Sequence, residues 1–170
     1  MTAGLALSLS GMRRYQPSAL AAAVIQVAEA ELKQNAREVG GNNQGPFVEK
    51  YLAPTGLKAP QPWCAAFASW CVREAARTLK VKPPLPYTAS TRSIYDAAKA
   101  RGLLVPEPEA GDLILWGLLS PPRRYGHTGI VVKRSGRRLV TIEGNRTPRV
   151  QKFTHDFAAL GRILGFVRLP

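Results

Sequence analysis

Acidic residues are scarce in this chain: 11 Asp and Glu stand against 24 Lys and Arg, a formal charge of +13 over 170 residues. Such a surplus favours long-range attraction to a polyanion, and nucleic acid, lipopolysaccharide phosphates or an anionic cell wall would each supply one. The basic residues are dispersed, however, with short pairs at Arg13-Arg14, Arg123-Arg124 and Arg137-Arg138. No zinc-finger or aromatic RNA-binding signature accompanies them, so a nucleic-acid partner is not expected. Cysteine is scarcer still. Cys64 and Cys71 cannot build a disulfide framework; on one helix they would stand roughly 10 Å apart along the axis, beyond the ~7 Å a disulfide spans. Zinc-ligand spacing is missing too. No apolar run approaches the ~20 residues needed to cross a bilayer, which excludes membrane insertion by a helix. The opening "MTAGLALSLSGMRRYQ" places its arginines after a short apolar run rather than before it. That is a poor secretory signal, so synthesis in the cytoplasm is expected, with release or delivery needed for any action outside it.

What remains is a chain with 45% hydrophobic residues, long enough for one well-buried core and a single domain over 1–170, with 1–16 as an N-terminal extension. There is no internal repeat or low-complexity tract. Apolar residues Leu20, Val24, Val27, Ala28 and Leu32 after Pro17-Ser18 predict an amphipathic helix from near Ser18 to just before Gly40-Gly41. "GGNNQGPF" reads as an ordered loop, followed by a short helical segment around Val48 to Leu52. A second long helix is predicted over 64–79, with Ala68, Cys71, Val72, Ala75 and Leu79 on the face that Cys64 heads. A third runs from about Thr91 to Arg101, ended by Gly102. Then the texture changes to β-prone runs, "DLILW", "TGIVVKR", "RLVTIE", "RVQKF" and "ILGFVRL", with a hairpin turn at Ser135-Gly136. Helices first and an antiparallel meander afterwards indicate an α+β fold with the helices on one face of the sheet.

Within "QPWCAAFASWC" the position of Cys64 draws notice. A thiol in the first turn of a helix sits at the positive end of the helix dipole, which favours the nucleophilic thiolate. In "YGHTGIVV", His127 stands at the mouth of a strong strand between small neighbours that let an imidazole reach a helix end. The partner strand of the hairpin ends in Glu143-Gly144-Asn145, so Glu143 can approach His127 across the ladder, and either Glu143 or Asn145 can orient the ring. Nucleophile, base and orienting group are what thiol acyl transfer requires. Gln61 and Trp63, beside the cysteine, and Tyr125, two residues before the histidine, are candidates for contacting substrate. Trp70 reads as core, and His155 in "THDF" as a surface histidine in a turn.

Together "QPWCAAFASWC", "GHTGIVV" and "TIEGN", with "EAGDLILW" and "NNQGPFVEKYLAPTGL" ahead of them, resemble the CHAP family of cysteine, histidine-dependent amidohydrolases and peptidases, a branch of the NlpC/P60 and papain-like fold. The resemblance runs from about Val39 to Val167. It implies a peptidoglycan hydrolase that cuts an amide, either N-acetylmuramoyl-L-alanine or a bond of the peptide stem or cross-bridge. By motif, Cys64 is the nucleophile, His127 the general base and then acid, Glu143 the orienting residue and Asn145 a further polar member. Some members bind calcium through an acidic loop ahead of the cysteine; "GGNNQGPFVEK" lacks the alternating Asp residues that would supply such ligands, so no metal and no cofactor is expected. A monomer acting on peptidoglycan is expected, with an immunity or delivery protein as a conceivable partner. A protein-directed thiol protease or transamidase, and a non-catalytic basic envelope-binding module, are the competing readings.

Overall fold

The computed structural model describes residues 15–117 and 126–170. Tyr125, the pairs Arg13-Arg14 and Arg123-Arg124, and all of the 1–16 extension except its last two residues lie outside the described residues. Helix α1 spans Ala19–Lys33 and stops short of the expected end before Gly40-Gly41, because the chain turns left-handed at Asn35 (φ 54). Its first turn is capped by Ser18, whose Oγ accepts from the Ala21 amide at 3.0 Å and donates to the Leu169 carbonyl at 3.0 Å, tying the two ends of the fold together. Helix α2, Pro46–Leu52, begins inside the segment expected to be loop and continues into a 3-10 turn over Ala53–Thr55. Helix α3, Cys64–Leu79, and helix α4, Thr91–Ala100, fall where the periodicity puts them. The expectation of a single inward stripe on α3 needs correction, because every residue from Cys64 to Ser69 is buried. Alanine at 65, 66 and 68 makes that possible, since small side chains let both α1 and the sheet strands approach α3 closely.

The sheet has six strands, β1 (Leu104–Val105), β2 (Leu113–Trp116), β3 (His127–Ser135), β4 (Arg138–Thr147), β5 (Arg149–Asp156) and β6 (Ile163–Val167), in the order β1-β6-β2-β3-β4-β5 with all neighbours antiparallel. Strands β2 to β5 form the expected meander. β6 does not extend it: it returns to pair with β2, Phe166 opposite Ile114 and Val167 opposite Leu113. The reason is burial on both faces, as Phe166 and Val167 are both buried and belong at the centre of a sheet, whereas β5 alternates buried with exposed residues and suits an edge. The two-residue β1, absent from the sequence expectation, covers the other edge of β6.

One face of the sheet packs Leu113, Leu115, Ile130, Ile142 and Val150 against the helices in the main core. Alternation sends Ile114, Val131, Leu139 and Phe166 to the other face, where Phe157 and Leu160 close over them. Under α3, Trp63 stacks on Tyr51 with ring centroids 5.6 Å apart and meets Phe67 edge to face at 6.4 Å. Contacts of this kind contribute about 1 kcal/mol each beyond burial, and they pin the helix end that carries Cys64.

Candidate active site

Trp63 caps α3 without a side-chain cap of its own, and Cys64 is the first helical residue. Backbone N–H groups in that first turn have no acceptor within the helix, so the thiol stands beside free amide donors. The Trp63 amide is an exception: it donates to Asn145 Oδ1 at 3.0 Å. Asn145 Nδ2 in turn donates to Asn43 Oδ1 at 2.6 Å and Glu38 Oε1 at 3.3 Å, and the Trp63 indole donates to the same Glu38 oxygen at 2.9 Å. Asn145 therefore fixes the start of α3. The sequence left it as an alternative orienter of the imidazole, but a left-handed backbone (φ 62) and the register shift in β4 after Glu143 turn it toward the helix.

The group that reaches the His127 ring is Glu143. A register shift in the β3–β4 ladder lies between Val131 and Lys133, and the hairpin turns at Gly136-Arg137, one residue later than the sequence suggests, with Gly136 at φ 57. Glu143 then crosses Gly129 on its way to the ring; a Cβ at position 129 would stand 2.6 Å from Glu143 Cγ, so only glycine leaves the passage open. Glu143 Oε2 lies 2.8 Å from His127 Nε2, leaving Nδ1 as the nitrogen that the Cys64 thiol can engage. Burial disfavours a charged imidazole here, but hydrogen bonds with the Cys64 thiol and with Glu143 outweigh it and push the His127 pKa up to about 9. Burial likewise disfavours the Glu143 carboxylate, which is 0% exposed. Hydrogen bonds from His127, Thr141 and His155 prevail and hold its pKa down at about 2. The thiol also approaches the Gly126 carbonyl at 3.9 Å.

Cys64 and Gly126 form part of the wall of a cleft of about 570 Å³ that is bounded across from them by Thr88, Ser90 and Arg92 at the start of α4. Cys64 is 7% exposed, enough for the sulfur to meet a bound group, while Cys71 is 0% exposed and both thiols are free. Gln61 is exposed and lines the same cleft. Trp63 is not: it is completely buried among Tyr51, Phe67 and Glu38 and cannot touch a substrate, because its neighbour Gly144 leaves room for the indole ring to sink into the core. Tyr125 lies outside the described residues. Among the described residues no group of three or more His, Cys, Asp and Glu is arranged to hold a metal ion.

His155 is the principal correction. It sits in β5 and not in a turn, its side chain is 12% exposed, and its Nε2 lies 2.8 Å from Glu143 Oε1. The residues around Glu143 that sequence reasoning missed are His155, Thr141, Arg146 and Trp116. Thr141 Oγ1 donates to Glu143 Oε1 at 2.5 Å, and Arg146 Nη1 lies 3.3 Å from Oε2. The Trp116 ring contacts both imidazoles, at 5.3 Å from His127 and 5.5 Å from His155. One signal was available. Extending the alternation of "RVQKF" by two residues puts His155 on the face of Phe153, opposite the row of Leu139, Thr141 and Glu143.

No curated protein matches this chain. Among solved structures, the crystal structure of Ly7917 superposes with a TM-score of 0.58 at 17% identity over 88% of this chain. The structure of Ly7917 with the hydrolyzing product of MDP superposes with a TM-score of 0.57 at 18% identity, again over 88% of this chain. This chain spans 62% of the Ly7917 chain, and the likeness establishes a shared α+β fold. The CHAP domain family matches residues 56–145, more than half of the sequence and the part that holds Cys64, His127, Glu143 and Asn145 together, so the chain belongs to the CHAP domain family.

Proposed function

We propose that the chain is a peptidoglycan hydrolase that cleaves an amide bond of the cell-wall peptide through a thioester on Cys64. The observation that carries this reading is His127 hydrogen-bonded to a buried, ionised Glu143 and raised in pKa by its interaction with a thiol at the start of a helix, on the wall of a cleft. Family membership agrees with it, and Ly7917, which shares the fold, has been crystallised with a hydrolysis product of MDP.

In the first step His127 accepts the thiol proton and the Cys64 sulfur attacks the amide carbon. Negative charge then develops on the carbonyl oxygen, and the Cys64 backbone N–H, unpaired within the helix, is placed to stabilise it. Collapse of the intermediate breaks the C–N bond, and the imidazolium gives its proton to the leaving amine. A water molecule, deprotonated by the same imidazole, attacks the thioester, releasing the new carboxyl group and restoring the thiol. Glu143 keeps the ring oriented and stabilises its charged form throughout. Gln61 contributes its exposed amide to substrate binding. The excess of basic residues holds the protein near an anionic envelope, so lysis should weaken as salt rises.

The test is digestion of purified peptidoglycan with mass spectrometry of the released fragments. New amine and carboxyl termini identify the bond and separate an N-acetylmuramoyl-L-alanine amidase from an endopeptidase. Fragments should vanish with Cys64→Ala. Absence of new termini from the wild-type protein, or their survival in that variant, would refute the reading.

A further inference from the structure

We propose that His155 is a positioning residue of this site, fixing through Glu143 the plane of the carboxylate that holds His127. The inference rests on the reading of Cys64, His127 and Glu143 given above and extends it by one strand.

A carboxylate held at one oxygen can still rotate about its terminal torsion, which is broad. Glu143 meets His127 through Oε2, so the orientation of its plane is decided at Oε1. Two groups reach that oxygen: Thr141 Oγ1 at 2.5 Å, from β4 itself, and His155 Nε2 at 2.8 Å, from the neighbouring strand β5. His155 Nε2 also lies 3.0 Å from Thr141 Oγ1. A threonine hydroxyl has one proton to donate, and here it is spent on Glu143. The contacts at His155 Nε2 are favourable only if that nitrogen carries a proton, since a bare nitrogen would set its lone pair against the carboxylate. His155 is thus a second N–H donor on the carboxylate that His127 uses.

The ring is held for that task. Its side chain is 12% exposed, flanked by Trp116 at 5.5 Å and Phe153 at 6.3 Å. Because the same indole lies 5.3 Å from His127, the two imidazoles are spaced by one rigid plate on one side and one carboxylate on the other. The charged and titratable groups that face Glu143 are His127 from β3, Arg146 from β4, and His155 from β5, with the Cys64 thiol of α3 beyond His127. Removing the β5 donor leaves Thr141 alone on Oε1, so the carboxylate is held less firmly against His127 Nε2, and both the ring's orientation and the stability of its charged form decline.

The chain has two histidines, so His155→Phe leaves His127 as the sole imidazole, with an unambiguous proton NMR titration. Phenylalanine keeps an aromatic ring against Trp116 and removes the donor; His155→Gln removes the ring and keeps an N–H donor. In His155→Phe, fragment release should fall between about tenfold and a hundredfold, as for other residues that act through a first-layer group. The His127 midpoint should drop toward the ordinary imidazole value of about 6.5. His155→Gln should recover most of both. An unmoved His127 midpoint in His155→Phe, or equal losses in the two variants, would overturn the proposal. A nitrogen-15 spectrum of the wild-type protein provides a check that needs no variant to fold: it should show a proton on His155 Nε2, and a bare nitrogen there would overturn the proposal as well. Should the wild-type protein release nothing from peptidoglycan, the proposed function fails, yet the titration still decides the role of His155.

Discussion

Glu31 in the helical layer and Glu143 in the sheet are both buried carboxylates, 2% and 0% exposed, each held by several donors. Glu31 receives Lys50 Nζ at 2.8 Å on both oxygens, the Tyr51 hydroxyl at 2.5 Å and the Gln34 amide at 3.3 Å. Burial and the bond to Glu31 push the Tyr51 hydroxyl well above its ordinary value, so that donor keeps its proton. The cluster is a brace between α1 and α2. Glu143 is held mainly by imidazoles, and one of them, His127, with its pKa raised to about 9, leads to a thiol on a cleft wall. Burial and pairing, which the two share, therefore do not mark a functional carboxylate. Donors that can titrate and a path to a cleft do.

The sharpest way to break this contrast is to neutralise each carboxylate without changing its shape. Glu143→Gln removes the charge that stabilises the His127 imidazolium and can present an amide N–H to the ring, so fragment release from peptidoglycan should fall about a thousandfold or more. Glu31→Gln should leave the rate per folded molecule within about a factor of two. Comparable losses in the two variants would show that the distinction is false.

Stability should not separate the two in the same way. Glu31→Gln leaves the Lys50 ammonium, 34% exposed, without its partner among aromatic rings, and removing one member of a largely buried pair should cost about 2 kcal/mol. Glu143 keeps a low pKa in spite of its burial, so its charged form stabilises the fold and Glu143→Gln should cost at least as much. Urea midpoints of both variants should fall below that of the wild type, and an unmoved midpoint in Glu143→Gln would mean that its carboxylate stabilises nothing.

The pH dependence belongs to Glu143 and His127 together. With the His127 pKa raised to about 9, the stabilisation its charged form confers is complete below the ordinary value near 6.5 and is lost as pH rises through about 9. Glu143, lowered to about 2, contributes stability above its ordinary value near 4.5 that disappears as pH falls through about 2. Activity that needs the imidazolium to protonate a leaving amine should decline on the alkaline side near pH 9. In Glu143→Gln that limb should move to lower pH, while in Glu31→Gln it should stay where it is. A limb that ignores Glu143 would mean that His127 is not the group titrating.

Much of this arrangement is legible in the sequence, and what is not has physical causes. Helical periodicity and the strand-rich second half give α1, α3, α4 and the meander, because local burial patterns decide those elements. The return of β6 to β2 is a choice among edges, and only the burial of Phe166 and Val167 on opposite faces makes it. Cys64, His127 and Glu143 can be named from a helix start and a hairpin, since the hairpin brings the last two near each other by register alone. Asn145 looks equivalent to Glu143 in a straight ladder. The backbone turn that redirects it to Trp63 depends on a left-handed residue that the sequence does not announce. His155 is hidden for a different reason: its strand continues three residues past Phe153, the last apolar residue of "RVQKF".

The smallest effect in the comparison concerns the cations. Lys50 is the main partner of Glu31, whereas Arg146 is a lesser partner of Glu143: its Nη1 stands 3.3 Å from Oε2, its side chain is 44% exposed, and its guanidinium lies 4.7 Å over the Phe153 ring. Ion pairs as open as this contribute about 0.2–1 kcal/mol and weaken with salt. Arg146→Gln should therefore slow fragment release less than about fivefold, and the difference from wild type should shrink further as salt is raised. If the imidazoles hold the carboxylate, the arginine is nearly dispensable. A loss beyond about tenfold that persists in high salt would mean that a fixed cation holds Glu143 after all, and the two carboxylates would be the same device.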